Sequence, residues 1–551
     1  MQEFKSSFAE NVFKHKYARY GGQTWAQKAK EIVDDVCGRG VHNQYAHPLM
    51  SPEDRKQLEQ YIREFKFLPG GRYIYYAGRP ASFWNNCYLL RAEEDTREEW
   101  ANIAWRATSC LMVGGGIGVD YSLIRPSGRV LTRTGGIASG PMALIEMVNE
   151  IGRRVMQGGS RRSAIYASLN WRHDDVPEFM TRKNWAEQKV GTSGQTLGEL
   201  KRHDFNFPAP LDMTNISLNY DDAWKFQADD PVFLQNVEQA LRTGEPGFSF
   251  NFGLQENETL RNACTEITSE DDSDVCNLGS VNMGAIDDLA EFRDVVALSS
   301  KFLVCGTIRA TLPYAKVYDV RERNRRLGLG LMGVHEWLLK KKLTYGCPAQ
   351  LKPWLEAYEK ESEKAADEHC DRLFLSRPKG YRAIAPTGTI GILAGTTTGI
   401  EPLFAVAYKR RYLVEGTRWK FEYVVDSTAQ LLIEKYGLDP SAIETAGDLA
   451  KDPERRIATQ AAIQNFVDHS ISSTINLPSW GSEHNNLDKV KPFAKILAKH
   501  APNLRGFTAY PDGSRGGQPI TPVPYEEAAK HKGAVFEDNS DAACVGGVCG
   551  I

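Results

Sequence analysis

Within this chain of 551 residues, Asn262, Cys264 and Glu266 set an amide, a thiol and a carboxylate at every second position. In extended backbone such residues share one face, so all three groups can meet one substrate. The thiol can abstract hydrogen, the amide can hold a hydroxyl, and the carboxylate can take its proton. The same five residues, NACTE, also suit a polar surface loop with a buried cysteine. Cys87, in NNCYLL, and Cys276, in DVCNLGS, sit in strand-like settings. Two thiols supply two electrons by closing to a disulfide, while two ordinary buried cysteines behave as small hydrophobes. Cys544 and Cys549 form a C-x4-C pair close to the end of the chain. A dithiol there can swing to a buried disulfide; a zinc knuckle needs four ligands, and His531 is the only other candidate in that stretch.

A Thr/Gly loop, Thr387, Gly388, Thr389, Ile390 and Gly391, offers backbone N–H groups and hydroxyls suited to a phosphate. It lacks the lysine of a P-loop. GGGIG at 114–118 has the wrong spacing for a dinucleotide fingerprint; its glycines suit close approach of a backbone to a nucleoside. The net charge of −3, from 67 basic and 70 acidic residues, gives no drive toward nucleic acid or an anionic membrane. No apolar run reaches the 18 residues of a membrane span. The N-terminus lacks the apolar core of a secretory signal, so a cytoplasmic location is expected. The ten cysteines are too dispersed for a secreted disulfide scaffold.

Strands and helices alternate along the chain, which points to an α/β architecture. Residues 1–66 read as helical, with Trp25, Ile32, Val33 and Val36 as the apolar stripe. FLPGGRYIYYAGRPASFWNNCYLL reads as turn, short strand, loop and strand. A helix starts after Pro141 and stops at Gly158-Gly159. RRSAIYASLNW and VCNLGSVNMGAI are strand-like, and 171–230 is polar and loop-rich. Residues 283–345, including RRLGLGLMGVHEWLLKK, read as mainly helical. AIAPTGTIGILAGTTTGIEPLF reads as a strand, a loop and a second apolar piece. From about Tyr525 the chain reads as a mobile tail.

NNCYLL, NACTE, VCNLGSVNM, APTGTIGILAGTTTGIEP and CVGGVC, in that order, resemble the catalytic subunit of ribonucleotide reductases from about Phe67 onward. GGRYIYYAG, MVGGGIGVDYSLIRPSGR, GGIASGPMALIEM, RRSAIYASL, NRRLGLGLMG and FTAYPDGSR look most like the class II, adenosylcobalamin-dependent branch. Class I catalytic subunits carry two adjacent tyrosines where this chain has Ala509-Tyr510. The chain also departs from the class II loop N-P-C-G-E, with Ala263 and Thr265 in place of Pro and Gly.

The resemblance implies a ten-stranded α/β barrel, two five-stranded parallel halves around a central finger loop that carries Cys264. It divides the chain into a helical N-terminal region (1–60, no ATP cone), the barrel (61–524) and a redox-active tail (525–551). It implies thiyl-radical reduction of ribonucleotides to deoxyribonucleotides, initiated by adenosylcobalamin and without a protein metal site. In that reading Cys264 carries the radical, Glu266 takes the 3′-hydroxyl proton and Asn262 holds the substrate. Cys87 and Cys276 become a disulfide, and Cys544 and Cys549 reduce it, restored by thioredoxin or a similar protein. Asn86, Gly116 and the residues from Thr387 to Gly391 would bind substrate, leaning toward a triphosphate over a diphosphate. A deoxynucleotide or ATP effector would act through Arg133, Ser139, Arg161 and Arg162, flanking the helix expected over 142–157. The oligomer would be a monomer or homodimer. The alternatives are a class I subunit served by a separate metal-containing radical generator, and a non-catalytic nucleotide-binding thiol protein.

Overall fold

The computed structural model describes residues 3–38, 48–156, 163–191, 194–204, 207–415, 418–514, 520–532 and 534–537. The strands in chain order are β1 (Phe67–Pro69), β2 (Cys87–Arg91), β3 (Gly116–Asp120), β4 (Ile165–Asn170), β5 (Thr214–Tyr220) and β6 (Gly247–Phe250). β7 (Leu260–Arg261), β8 (Thr268–Ser269), β9 (Asp274–Asn282), β10 (Leu327–Met332), β11 (Ala407–Glu415) and β12 (Arg418–Val425) follow. The last are β13 (Thr474–Leu477), β14 (Gly506–Pro511), β15 (Ile520–Pro522) and β16 (Val535–Glu537).

β2 to β6 pair in parallel, each with the next. β9 pairs in parallel with β10, and β13 with β14. Parallel bridges from Leu329 to Arg382 and from Ile384 to Ile471 join these two pairs, so 382–384 serves as the strand between them. The two parallel sets meet antiparallel at β2–β9 and at β6–β14. The circuit therefore closes as a ten-stranded α/β barrel of two five-stranded parallel halves, as the resemblance implies. β1 lies outside it, antiparallel to β9.

Strand alternation divides the barrel into two chemistries. Tyr88, Leu90, Ile117, Val119, Ile165, Ala167, Ile216, Leu218, Val275 and Val281 point outward into the main core. That core packs them under helices such as Arg97–Met112, Pro141–Arg154 and Leu289–Arg309. Inward positions are glycine, polar or part of a small separate cluster: Leu89, Leu260, Ile267, Cys276, Leu278, Ala383 and Ala385. The interior is thus a site, and the apolar burial that stabilises the fold lies on the outside of the barrel.

Several elements differ from the sequence expectation. Gly71–Tyr76 is a helix, because Tyr73 and Ile74 bury one side against the main core and tertiary packing overrides strand propensity. Leu327–Met332 is a strand buried along its whole length, where a helix was expected. A Cβ at Gly330 would stand 2.7 Å from the Ala383 carbonyl oxygen, so only glycine permits the bridge to 382–384. The expected Thr/Gly loop is itself helical: Gly388–Ala394 is a helix with Thr387 at its N-cap. β5 lies within the stretch expected to be polar and loop-rich; its inward Asn215 and Ser217 alternate with the outward Ile216 and Leu218.

The domain boundaries shift as well. The helix Pro52–Arg63 crosses residue 60, and Phe4, Phe13 and Trp25 belong to the main core. The stripe of Trp25, Ile32, Val33 and Val36 is buried as expected. At the other end, Tyr525–Lys530 is a helix and β16 pairs with β12. Ala528 packs with Ala407 and Val425, so a mobile tail cannot begin at Tyr525.

Candidate active site

β7 and β8 pair antiparallel and form a hairpin whose loop is residues 262–267. It stands inside the barrel. Leu260 and Ile267 pack with Leu89, Cys276, Leu278 and Ala383 from surrounding strands. On the β3 side, a Cβ at Gly118 would fall 1.7 Å from the Arg261 carbonyl oxygen, and one at Gly116 would lie 3.1 Å from the Ala263 Cβ. Gly116 and Gly118 therefore admit the hairpin, while Gly114 and Gly115 make room for Arg72 and Tyr88. At its base Arg261, buried, donates to Asn251 Oδ1 at 2.8 Å and to the Arg505 carbonyl at 3.0 Å. Glu258 pairs with Arg326 at 3.0 Å and Arg505 at 2.9 Å, and accepts from Thr268 Oγ1 at 2.8 Å. Burial alone would raise the Glu258 carboxyl; the two guanidinium groups outweigh it and hold it well below the usual range.

The loop orients its groups. Asn262 O accepts from Thr265 N, and Asn262 Oδ1 accepts from Ile267 N, both at 2.9 Å. Asn262 Nδ2 donates to Cys87 Sγ at 3.2 Å. Thr265 turns the tip at φ 70°, the left-handed region that a β-branched residue enters only under strain. Cys264 is exposed at that tip, facing a cavity. Glu266 is buried, and its Oε2 has no partner. Burial pushes its carboxyl up to about 7 against the pull of Asn262, which poises it for proton transfer near neutral pH.

Cys87 and Cys276 are direct register partners across the antiparallel β2–β9 seam. Cβ atoms so placed stand about 4.5–5.5 Å apart, and a disulfide needs roughly 3.5–4.5 Å, so a small movement closes the bond. Burial, with Glu266 nearby, pushes Cys87 up to about 12 and also raises Cys276. Both sulfurs thus hold their hydrogens at neutral pH. Asn85, which sequence reasoning passed over, donates to Asn277 Oδ1 at 2.7 Å and so fixes the strand beside Cys276.

The cavity encloses about 1310 Å³. Cys264, Gly388, Gly391, Thr396, Thr397 and Thr398 line it together. The other loop residues face elsewhere: Thr387 Oγ1 accepts from Gly399 N at 2.8 Å, Thr389 Oγ1 accepts from Lys16 at 3.4 Å, and Ile390 is buried in the main core. Thr396–Thr398 went unselected although they follow the loop in the same motif. Asn86 and Gly116 do not line the cavity; the Asn86 carbonyl accepts from Gly116 N at 2.8 Å. β11 and β12 also wall it through Tyr408, Tyr423 and Val424, a contribution no motif announced. Arg133 and Ser139 are exposed on the segment before helix Pro141–Arg154. Arg161, Arg162, Cys544 and Cys549 lie outside the described residues.

The family model described as ribonucleotide reductase, barrel domain, matches residues 85–209, 232–353 and 379–498. The chain belongs to this ribonucleotide reductase family. A vitamin B12-dependent ribonucleoside-diphosphate reductase of Mycobacterium tuberculosis (strain CDC 1551 / Oshkosh) is 25% identical, with 99% of this chain and 84% of the relative aligned. A putative adenosylcobalamin-dependent ribonucleoside-triphosphate reductase of Mycobacterium phage D29 is 28% identical over 96% of each chain. Among solved structures, the Actinobacillus ureae class Id ribonucleotide reductase alpha subunit superposes with a TM-score of 0.68 at 15% identity. That match covers 93% of this chain and 99% of the other, and it bears on the fold alone.

Proposed function

We propose that the chain reduces ribonucleotides to 2′-deoxyribonucleotides for DNA synthesis by thiyl-radical chemistry, with adenosylcobalamin as its cofactor. The observation that carries the reading is the convergence of the Cys264 hairpin and the Cys87–Cys276 pair on Asn262 and Glu266 inside one closed barrel. The B12-dependent names of the M. tuberculosis and phage relatives support the cofactor, as does Ala509 beside Tyr510, which leaves one tyrosine where class I subunits carry two. The cavity fits the group: its volume of about 1310 Å³ exceeds the roughly 300–1,000 Å³ that holds a drug-sized ligand. Phe8, Phe404, Tyr408 and Tyr423 add aromatic wall to it for a macrocycle. When bound, adenosylcobalamin supplies the oxidising radical.

Cys264, at the tip, takes the 3′ hydrogen of the substrate. Glu266 accepts the 3′-hydroxyl proton through its unpartnered Oε2, and Asn262 holds the substrate by hydrogen bonds. Water leaves C2′, while Cys87 and Cys276 donate two electrons and close to a disulfide. Gly388, Gly391 and Thr396–Thr398 hold the substrate phosphates, whether two or three. Cys544 and Cys549 return electrons from thioredoxin or a similar protein, and a nucleotide effector acts near Arg133 and Ser139. The test is the purified chain with one ribonucleotide and dithiothreitol, with and without adenosylcobalamin. Deoxynucleotide should form only with the cofactor. Turnover that requires a second metalloprotein instead would replace this reading with a class I one.

A further inference from the structure

Outside the barrel, a second pair of cysteines meets a histidine. Cys37 caps the helix Trp25–Val36, Cys305 lies in the last turns of Leu289–Arg309, and His369 lies near the end of Lys352–Arg372. All three are buried, at 0%, 0% and 2% exposure. Cys305 Sγ is 3.4 Å from His369 Nε2, and Arg372 Nη2 is 2.9 Å from His369 Nδ1. A guanidinium has no acceptor, so Nδ1 must accept and the neutral ring carries its hydrogen on Nε2, aimed at the sulfur. The hydrogen-bond network thus assigns the tautomer. Cys37 is held beside Cys305 by Arg309, one turn further along the helix of Cys305, which donates to the Asp35 and Gly38 carbonyls at 2.9 and 2.6 Å on either side of Cys37. Burial alone raises a thiol; for Cys305 the neighbouring Cys37 and His369 outweigh it and hold it low, while burial and the neighbouring Cys305 push Cys37 up. No group of three metal-ligating side chains suited to an ion occurs among the described residues, so a metal is not the natural occupant.

We propose that Cys305 and Cys37 are a second redox dithiol: Cys305 is the nucleophile, Cys37 the resolving thiol, and hydrogen peroxide the oxidant. The proposal stands independently of the catalytic reading. The Cys305 sulfur attacks the peroxide O–O bond, forming a sulfenic acid and releasing the first water. The Cys37 sulfur then attacks that sulfur; an S–S bond forms, the S–O bond breaks, and the oxygen leaves as the second water. Counted from two thiols, two protons and two electrons pass to peroxide, and a dithiol such as dithiothreitol reverses the step. Full burial restricts the oxidant to a molecule of this size. The product ties the N-terminal helix to the helix Leu289–Arg309, whose Leu303 carbonyl accepts from Asn277 Nδ2 at 3.3 Å, next to Cys276.

The test treats the full, reduced chain with hydrogen peroxide, alkylates the remaining thiols and reads the peptides by mass spectrometry. A peptide pair linked through Cys37 and Cys305, released by dithiothreitol, is expected. Cys37→Ala should leave Cys305 as a sulfenic acid captured by dimedone. His369→Leu should slow Cys305 oxidation by about tenfold or more, through loss of thiolate character. Absence of the linked pair at a dose that oxidises the exposed Cys264 would overturn the proposal, as would a link from Cys305 to its neighbour Cys370. The linkage is read on the unaltered chain, so it does not depend on a variant folding.

Discussion

Two buried cysteine pairs in one chain are set to opposite purposes by their surroundings. At the barrel seam, Cys87 and Cys276 face each other across paired strands, and burial raises both thiols. Among the described residues no imidazole bonds either sulfur. Such a pair keeps its hydrogens at neutral pH, as the proposed reduction requires of it. In the helical layer, Cys305 faces the His369 imidazole with Cys37 close by, and the two thiols are driven apart. That pair is built to attack. Burial is common to both, and Cys87 also accepts from the Asn262 amide; what separates them is the imidazole that faces Cys305.

The largest expected effect is loss of all deoxynucleotide formation in Cys264→Ser, with oxidation of the Cys37–Cys305 pair unchanged. Residual product above background would remove Cys264 from the chemistry. Next, Cys87→Ser and Cys276→Ser should still exchange hydrogen at the substrate 3′ carbon, while multiple turnover stops. Should Cys37→Ser behave the same way under dithiothreitol, the two pairs would not be distinct.

A smaller effect concerns Glu266, whose carboxyl stands at about 7 against an ordinary 4.5. The folded state holds this proton more tightly than the unfolded state. The favourable contribution is therefore complete below about 4.5 and is lost as pH rises through 7. At about 1.4 kcal/mol per pH unit, the difference at pH 8.5 is on the order of 3 kcal/mol. Glu266→Gln should raise the denaturation midpoint at pH 8.5 and leave it nearly unchanged at pH 5, while turnover falls at both. Equal midpoints at pH 8.5 would place Glu266 in a wetter site. Smallest is Thr265→Gly, which relieves the positive φ and should stabilise by about 1 kcal/mol, read by denaturant titration.

The parts of the site that sequence made legible are those compressed into a few residues. Asn262, Cys264 and Glu266 announce themselves by residue type, but the extended backbone expected of them is a turn. Thr265 N bonds Asn262 O, which leaves Cys264 exposed at the tip and Asn262 and Glu266 buried behind it. Cys87 and Cys276 were visible as motifs, but their contact depends on the register of strands distant in sequence. The Thr/Gly loop was visible, yet only the fold shows that Gly388 and Gly391 face the cavity while Thr387 clamps a turn. β5 (TNISLNY) carries a clean polar-in, apolar-out alternation, yet it went unseen inside a stretch whose overall polarity reads as loop; β6 (GFSF) is too short for its alternation to decide. β10 was read as a helix because a short apolar run carries no period that decides between the two. The Cys37, Cys305 and His369 cluster joins three helices and leaves no local trace at all.

The antiparallel seam between β6 and β14 makes the order of synthesis matter. β6 leaves the ribosome early, and its partner is among the last barrel strands made. Roughly 250 residues separate them, which at about 5–20 residues per second is on the order of 10–50 s. Throughout that interval the edge of β6 presents unpaired N–H and C=O groups, a template for any passing strand. Nascent chains arrested near residue 480 should therefore bind a holdase chaperone that the finished protein does not. The newborn half-barrel thus needs guarding in the cell until its last strands arrive.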